Sequence, residues 1–550
     1  MKKLKLIGML LGISVIITAC GNNNQDEIPQ EKLRPIEIEK LRPIEMDKEY
    51  DLSEYVNKNV FVIYRNDSEE DLNVIISQNN TAANNIKMNE NKMKSSGNYY
   101  NIPYNPPEFH FEKIIAASTS SYINRNMQKS ESAPAIGDKR DFYGFDSNDL
   151  VVDNLAKDAV LKVIGDHCNV WYVTKDGINV TDDMLHTLAS TFDSIFEKET
   201  YLFGSNIPTI EYDNIISIDE STKIDIIVYD IFGDVETTKA NNGGTYGYFA
   251  SLDFRNQDLE ENGITYKSNN SQCLHIDSYF LEVVPDVQRS TIAHEFQHLL
   301  HYVNKNLNCP LFDQNNQFTG NQESETWFNE MMSMVCEDIM QSQLGIEDKD
   351  SPKSRLSLFN SIYNLGFTTW RNGEDVYFSY ANAYAFGAYL LRNYGINFIK
   401  ELAHNKYVNQ EAITEALKTV NAKETSFEQV YNNFYNVILY PEASDKPTLN
   451  KAVTQTYNDV IFECSAINLS EYITINGEYM TEDAYQNFYQ GAKLEDYYGP
   501  KIWDNYYYFN KLGPNGFGVS HIKVRSDKPI FTWSSKAYNS NLKYYFVIED

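Results

Sequence analysis

The sequence predicts an α+β protein: a mixed sheet, one helix carrying an H-E-x-x-H motif, a helical half behind it, and β-rich regions at both ends. Three observations carry that class. Before residue 285, apolar strand-like runs at 160–164, 169–173 and 223–229 sit beside a stretch of helical spacing. From about 285 to 440 helical periodicity dominates. Over 450–550 short, Tyr-rich strands return, separated by Gly and Pro turns.

The chain begins with a basic stretch, Lys2, Lys3 and Lys5, then an apolar run over 6–17 that is too short to span a bilayer. Ile17-Thr18-Ala19-Cys20-Gly21 follows, small residues ahead of a cysteine, as in a bacterial lipoprotein signal. Residues 1–20 are therefore expected to direct export. Cys20 is the expected lipidation site, which would anchor the chain to a bacterial cell membrane on its extracytoplasmic side. Residues 21–46 repeat Glu-Lys-Leu-Arg-Pro-Ile-Glu at 31–37 and 39–45, and their charges and prolines predict a flexible tether.

The remaining chain divides into a β-rich region over 47–150, a central domain over 151–442 and a Tyr-rich β domain over 443–550. In the first, 60–64 and 72–76 read as strands, 78–101 as a polar loop and 117–140 as another polar stretch. In the second, Thr181 caps a helix through Leu185, Leu188, Phe192 and Ile195, and further strands are expected at 247–254 and 274–281. A chain of 550 residues holds two or three domains. Its net charge of −30 argues against a nucleic-acid backbone as partner, because phosphate binding needs clustered Lys and Arg. Cys168, Cys273, Cys309, Cys336 and Cys464 contain no C-x-x-C pair, which argues against a cysteine metal site and leaves one or two disulfides open.

The chemistry concentrates at His294-Glu295-Phe-Gln-His298. On a helix, residues four apart share a face, so two imidazoles reach one zinc ion at about 2.0–2.1 Å each. The glutamate between them projects beside the metal toward water. Ile292, Phe296, Leu299, Leu300 and Val303 gather on the opposite side as a packing stripe. His301 is seven residues beyond His294, about 10 Å along the axis, and cannot share its ion. A third ligand must come from elsewhere. The next helical stretch, 323–338, packs Phe328, Met332, Val335 and Ile339 inward and turns Glu323, Glu330 and Glu337 the other way. Spacing alone does not choose among the three. A purely structural zinc site would need a fourth protein ligand, and none is evident.

With these residues in place, the segment over roughly 155–440 resembles the hyicolysin family of neutral zinc metallopeptidases, among the gluzincins. The resemblance rests on 243–254 (GGTYGYFASLDF), 290–305 (STIAHEFQHLLHYVNK), 325–338 (ETWFNEMMSMVCED) and 379–395 (SYANAYAFGAYLLRNYG). It implies a zincin-like metallopeptidase domain, Zn2+ held by His294, His298 and Glu330, and Glu295 as general base. Its substrates would be extracellular proteins or peptides. In the thermolysin-like pattern an aspartate stands four residues after the ligand glutamate and orients a zinc histidine; here that position is Met334, leaving Glu337 or Ser333 as replacements. Tyr384-Ala-Phe-Gly387 also resembles the Tyr-x-x-Gly element of gluzincin aminopeptidases, which makes Tyr384 the expected oxyanion donor and Tyr380 the reserve. A strand at the sheet edge, within 247–254 or 273–281, is expected to hold an extended substrate. The alternative is a catalytically inactive surface lipoprotein, an adhesin or carbohydrate binder on the same fold.

Overall fold

The computed structural model describes residues 49–78, 133–145, 151–472 and 499–549, with short breaks, and two-residue strands at 31–32 and 42–43. The signal-like segment, Cys20, most of the tether and the 79–101 part of the polar loop lie outside the described residues. Among those described, no helix is long and apolar enough to cross a membrane.

The central sheet has six strands: β1 (Lys139–Phe145), β2 (Val151–Ile164), β3 (Cys168–Tyr172), β4 (Ile224–Tyr229), β5 (Gly247–Tyr248) and β6 (Cys273–Asp277). Their spatial order is β5-β6-β4-β3-β2-β1. β3, β4 and β6 run parallel, while β5 at one edge and β2 at the other side of β3 are antiparallel to their neighbours. Side chains alternate with the two-residue period of a strand. Ile224, Ile226 and Val228 face one core with Leu274 and Ile276. Ile227, Tyr229 and Cys273 face a second core with Phe142 and Trp171.

Helices α1 (Asp182–Phe203) and α2 (Pro285–His301) pack in the first core, with Phe192 edge-on to Phe296 at 4.9 Å. Thr181 caps α1 by accepting a hydrogen bond from the Met184 amide at 3.3 Å, as its side-chain chemistry requires. α3 (Thr326–Leu344) lies between α2 and α4 (Val376–Tyr394). Gly387 permits that approach: a Cβ there would lie 2.6 Å from Val335 Cγ2 and 2.7 Å from Met331 Cγ.

Three expectations change. The strand expected over 247–254 is only two residues long, and Ser251–Phe254 forms a 3-10 turn. The strand expected over 274–281 stops at Asp277, whose carboxylate accepts from the Phe280 amide at 3.0 Å and starts a helix over Ser278–Val283. Its strand portion is also internal, paired on both sides, so among the described residues β5 forms that edge.

The terminal regions interleave. Strand Asn59–Asn66 lies between Phe517–Ile522 and Leu542–Glu549, with Val62 opposite both Ser520 and Phe546. A second five-stranded sheet contains Glu49–Asp51, Leu72–Gln78, Tyr508–Leu512 and Ile530–Ser535. The two sheets meet where Tyr50 and Phe531 pack on Phe546 at 5.3 and 5.5 Å. The described parts of 47–78 and 499–549 thus share one β body, whereas 139–145 belongs to the central sheet through its pairing with β2. All five described cysteines are free, so no disulfide forms among the described residues.

Candidate metal centre

α2 carries His294, Glu295 and His298 one turn apart, and α3 crosses it with Glu330 opposite the histidines. His294 Nε2 lies 3.1 Å from Glu330 Oε2, and His298 Nε2 lies 3.7 Å from the same oxygen. One ligand atom from each of the three residues falls within 4.8 Å of the others. Among the described residues that set has three members, not the four a closed structural site requires. All four side chains, Glu295 included, are at most 2% exposed, so charge here acts with little screening by solvent.

The remaining imidazole nitrogens are held from α3. His294 Nδ1 donates to Glu337 Oε1 at 2.7 Å, and Ser290 Oγ donates to the other Glu337 oxygen at 2.5 Å. Because a carboxylate only accepts, the Nδ1 hydrogen is held by Glu337, and Nε2, facing Glu330 Oε2, is the nitrogen whose proton a metal ion would replace. His298 Nδ1 donates to Asn329 Oδ1 at 3.2 Å and to Ser333 Oγ at 3.0 Å, while Ser333 donates onward to Gln297 Oε1. Glu337 and Ser333 therefore divide the orienting work, one per histidine. Met334, where the thermolysin-like pattern has its aspartate, is fully buried in the apolar core. Asn329, Gln297 and Ser290 had no role assigned from sequence. Ser290 is one turn before His294 and Asn329 adjoins Glu330, and that helical adjacency was the available signal.

The donor set fits a divalent metal. Glu330 Oε1 is buried without a hydrogen-bond partner, a costly state that coordination removes. Burial pushes the His294 imidazolium down, but Glu330 and Glu337 outweigh it and raise its pKa to about 10. Two carboxylates thus demand positive charge at one point, where a metal ion can replace the proton. Burial also holds the carboxyl of Glu199, on α1, well above its ordinary range.

Glu295 projects from the same face, and Gly247 of β5 lies against it. A Cβ at Gly247 would sit 2.8 Å from the His275 carbonyl oxygen, 2.9 Å from Thr291 Cγ2 and 3.3 Å from Glu295 Cγ. The sheet edge therefore runs directly beside the glutamate stem.

Hydrogen bonds place the remaining candidates, His301 and Tyr384. His301 pairs with Ser324 Oγ at 2.7 Å, away from the ligand set. Tyr384 is turned toward Asp338. Its single hydroxyl hydrogen goes to Asp338 Oδ2 at 3.1 Å, within a buried pair that Asp338 makes with Arg392 at 2.7 Å. Tyr380 is buried too, its ring beneath the Arg355 guanidinium at 4.7 Å and edge-on to Trp370 at 4.9 Å.

Comparison with known proteins bears on the same region. Residues 158–445 match the Peptidase M30 family. The chain is also 23% identical over 422 residues, 73% of its own length and 85% of the relative's, to the neutral metalloprotease ShpI of Staphylococcus hyicus.

Proposed function

Because the chain belongs to the M30 (hyicolysin) family of metallopeptidases, we propose that it is a zinc-dependent endopeptidase with a zincin-like active site, acting on extracellular proteins or peptides. The observation that carries this reading is the convergence of His294, His298 and Glu330 beside Glu295, with both histidines oriented from behind. A zinc ion held by these residues supplies Lewis acidity toward water and a substrate carbonyl.

The protein's own groups supply the rest. Glu295 takes a proton from the attacking water and delivers it to the departing amine. Glu337, Ser333 and Asn329 keep the imidazoles in one tautomer and one orientation through the cycle. β5, the edge strand of the described sheet next to Glu295, receives the substrate as an added antiparallel strand. The enclosed site strengthens each of these electrostatic contacts. An inactive surface binder, the rival reading, has no use for hydrogen-bond partners on both histidines.

The test is cleavage of unfolded casein by the full chain. Cleavage that stops with a chelator and returns with equimolar zinc supports the protease. A zinc-loaded chain that cleaves no polypeptide supports the binder. We further propose export and lipid attachment at Cys20, on the basis of the 17–21 sequence. Incorporation of labelled fatty acid that persists in Cys20→Ala would overturn that attachment.

A further inference from the structure

β5 is only two residues long, Gly247 opposite Ile276 and Tyr248 opposite His275, and the Asp277 amide adds a backbone bond to the Tyr246 carbonyl at 2.9 Å. Its position is fixed from both faces of the sheet. On the α2 side, Gln288 Nε2 donates to the Tyr246 carbonyl at 3.0 Å, and Gly247 packs on Thr291 and Glu295.

On the opposite face Tyr248 enters a buried polar circuit. Its ring stacks on the His275 imidazole at 4.2 Å and 8°. Its hydroxyl lies 2.7 Å from that of Tyr229, which lies 3.2 Å from His275 Nδ1. His275 Nε2 lies 2.9 Å from Asp253 Oδ2, and the other Asp253 oxygen accepts from Asn269 Nδ2 at 2.7 Å. One proton order satisfies every member. The carboxylate of Asp253 only accepts, so Nε2 carries the hydrogen and Nδ1 accepts from Tyr229. Tyr229 has then spent its one hydrogen, so Tyr248 donates to Tyr229. The Phe145 backbone completes the circuit at the Tyr248 hydroxyl. Gly144 makes room for it, since a Cβ there would lie 2.5 Å from the Tyr229 hydroxyl oxygen.

The metal site uses none of these four side chains, and they are buried among Phe142, Trp171 and Leu252. A fully satisfied polar network in an apolar core rigidifies the elements it joins. Here those elements are β4, β6, the 251–254 turn and the substrate edge.

Resting on the protease reading, we propose that Tyr248, Tyr229, His275 and Asp253 are positioning residues that set the depth of β5 against Glu295 and thereby govern binding of extended peptides. Substrates long enough to pair with β5 depend on the network; substrates that reach only the metal and Glu295 do not.

Tyr248→Phe and Tyr229→Phe each remove one oxygen and keep the ring, which leaves the core filled. Both variants of the full chain are compared with wild type for zinc content, and for kcat and KM on an internally quenched decapeptide and a short blocked dipeptide. The expected result is a KM for the decapeptide raised about tenfold with kcat within about twofold. Zinc content and dipeptide turnover stay at the wild-type level. An unchanged decapeptide KM, or an equal loss on both substrates, overturns the positioning role. A zinc-loaded wild-type chain that cleaves neither peptide overturns the protease reading itself, and the substrate role of β5 with it.

Discussion

Replacing Glu337 with Gln keeps the shape of the side chain and removes its charge. In the structure this carboxylate bridges His294 Nδ1 at 2.7 Å and Ser290 Oγ at 2.5 Å, and both oxygens are engaged. A buried hydrogen bond to a charged group contributes about 1.5–3 kcal/mol. At about 1.4 kcal/mol per factor of ten, that corresponds to roughly 10–100-fold in metal affinity, the range typical for partners that stand behind a ligand histidine. Zinc affinity is measured by competition with a chromophoric chelator at neutral pH, with thermal unfolding as a check that the variant is folded. The expected Kd for zinc rises by roughly 10–100-fold. Ser290→Ala, which loses a hydrogen bond one step further away, should cost only about threefold, in line with about 0.5–1 kcal/mol. A folded Glu337→Gln chain that binds zinc as tightly as wild type would refute the role given to Glu337.

Three other substitutions separate packing from chemistry. Tyr384→Phe should lower stability by about 1 kcal/mol, from the lost bond to Asp338, and leave kcat within a few-fold; a hundredfold fall in kcat at unchanged stability would restore it as an oxyanion donor. Gly387→Ala should destabilise the fold by about 1–3 kcal/mol in chemical denaturation, because its methyl meets Val335 and Met331 across the α3–α4 contact. Lys305 is buried, its ammonium donating to the carbonyls of Asn405 and Tyr407 at 2.5 and 2.7 Å. Burial lowers its pKa from 10.5 to about 7. Between those values the unfolded chain binds the proton and the folded chain does not, so Lys305 makes stability rise with pH, by at most about 1.4 kcal/mol per unit. Urea unfolding from pH 7 to 10 should therefore show a steeper rise in wild type than in Lys305→Met, and equal slopes would contradict the assignment.

Local patterns made the metal centre legible. H-E-x-x-H states its own geometry, and the amphipathic face of 323–338 placed Glu330 and Glu337 on one side of a helix. Which glutamate meets the metal and which stands behind His294 depends on how α2 and α3 cross, and spacing along one helix does not contain that angle. Tyr384 illustrates the converse. In Tyr-x-x-Gly at 384–387, Gly387 makes the close helix contact and the Tyr384 hydroxyl bonds Asp338 beside Arg392, neither of which spacing alone shows. The strand expected at 274–281 failed for a local reason, since Asp277 can cap a helix as readily as it can end a strand. The β body failed for a non-local one. Strand 59–66 pairs with 517–522 and 542–549, and alternation marks such segments as strands without naming partners more than 450 residues away.

The most direct test of Glu295 as general base beside a zinc ion that His294, His298 and Glu330 would hold is to measure zinc content and casein cleavage together in the wild-type chain and in Glu295→Gln. One zinc per chain in both proteins is expected, with cleavage reduced by about 10²–10⁴-fold in the variant, the range lost with a general base. A zinc-loaded Glu295→Gln chain that cleaves at the wild-type rate, or a wild-type chain that binds no zinc, would contradict it.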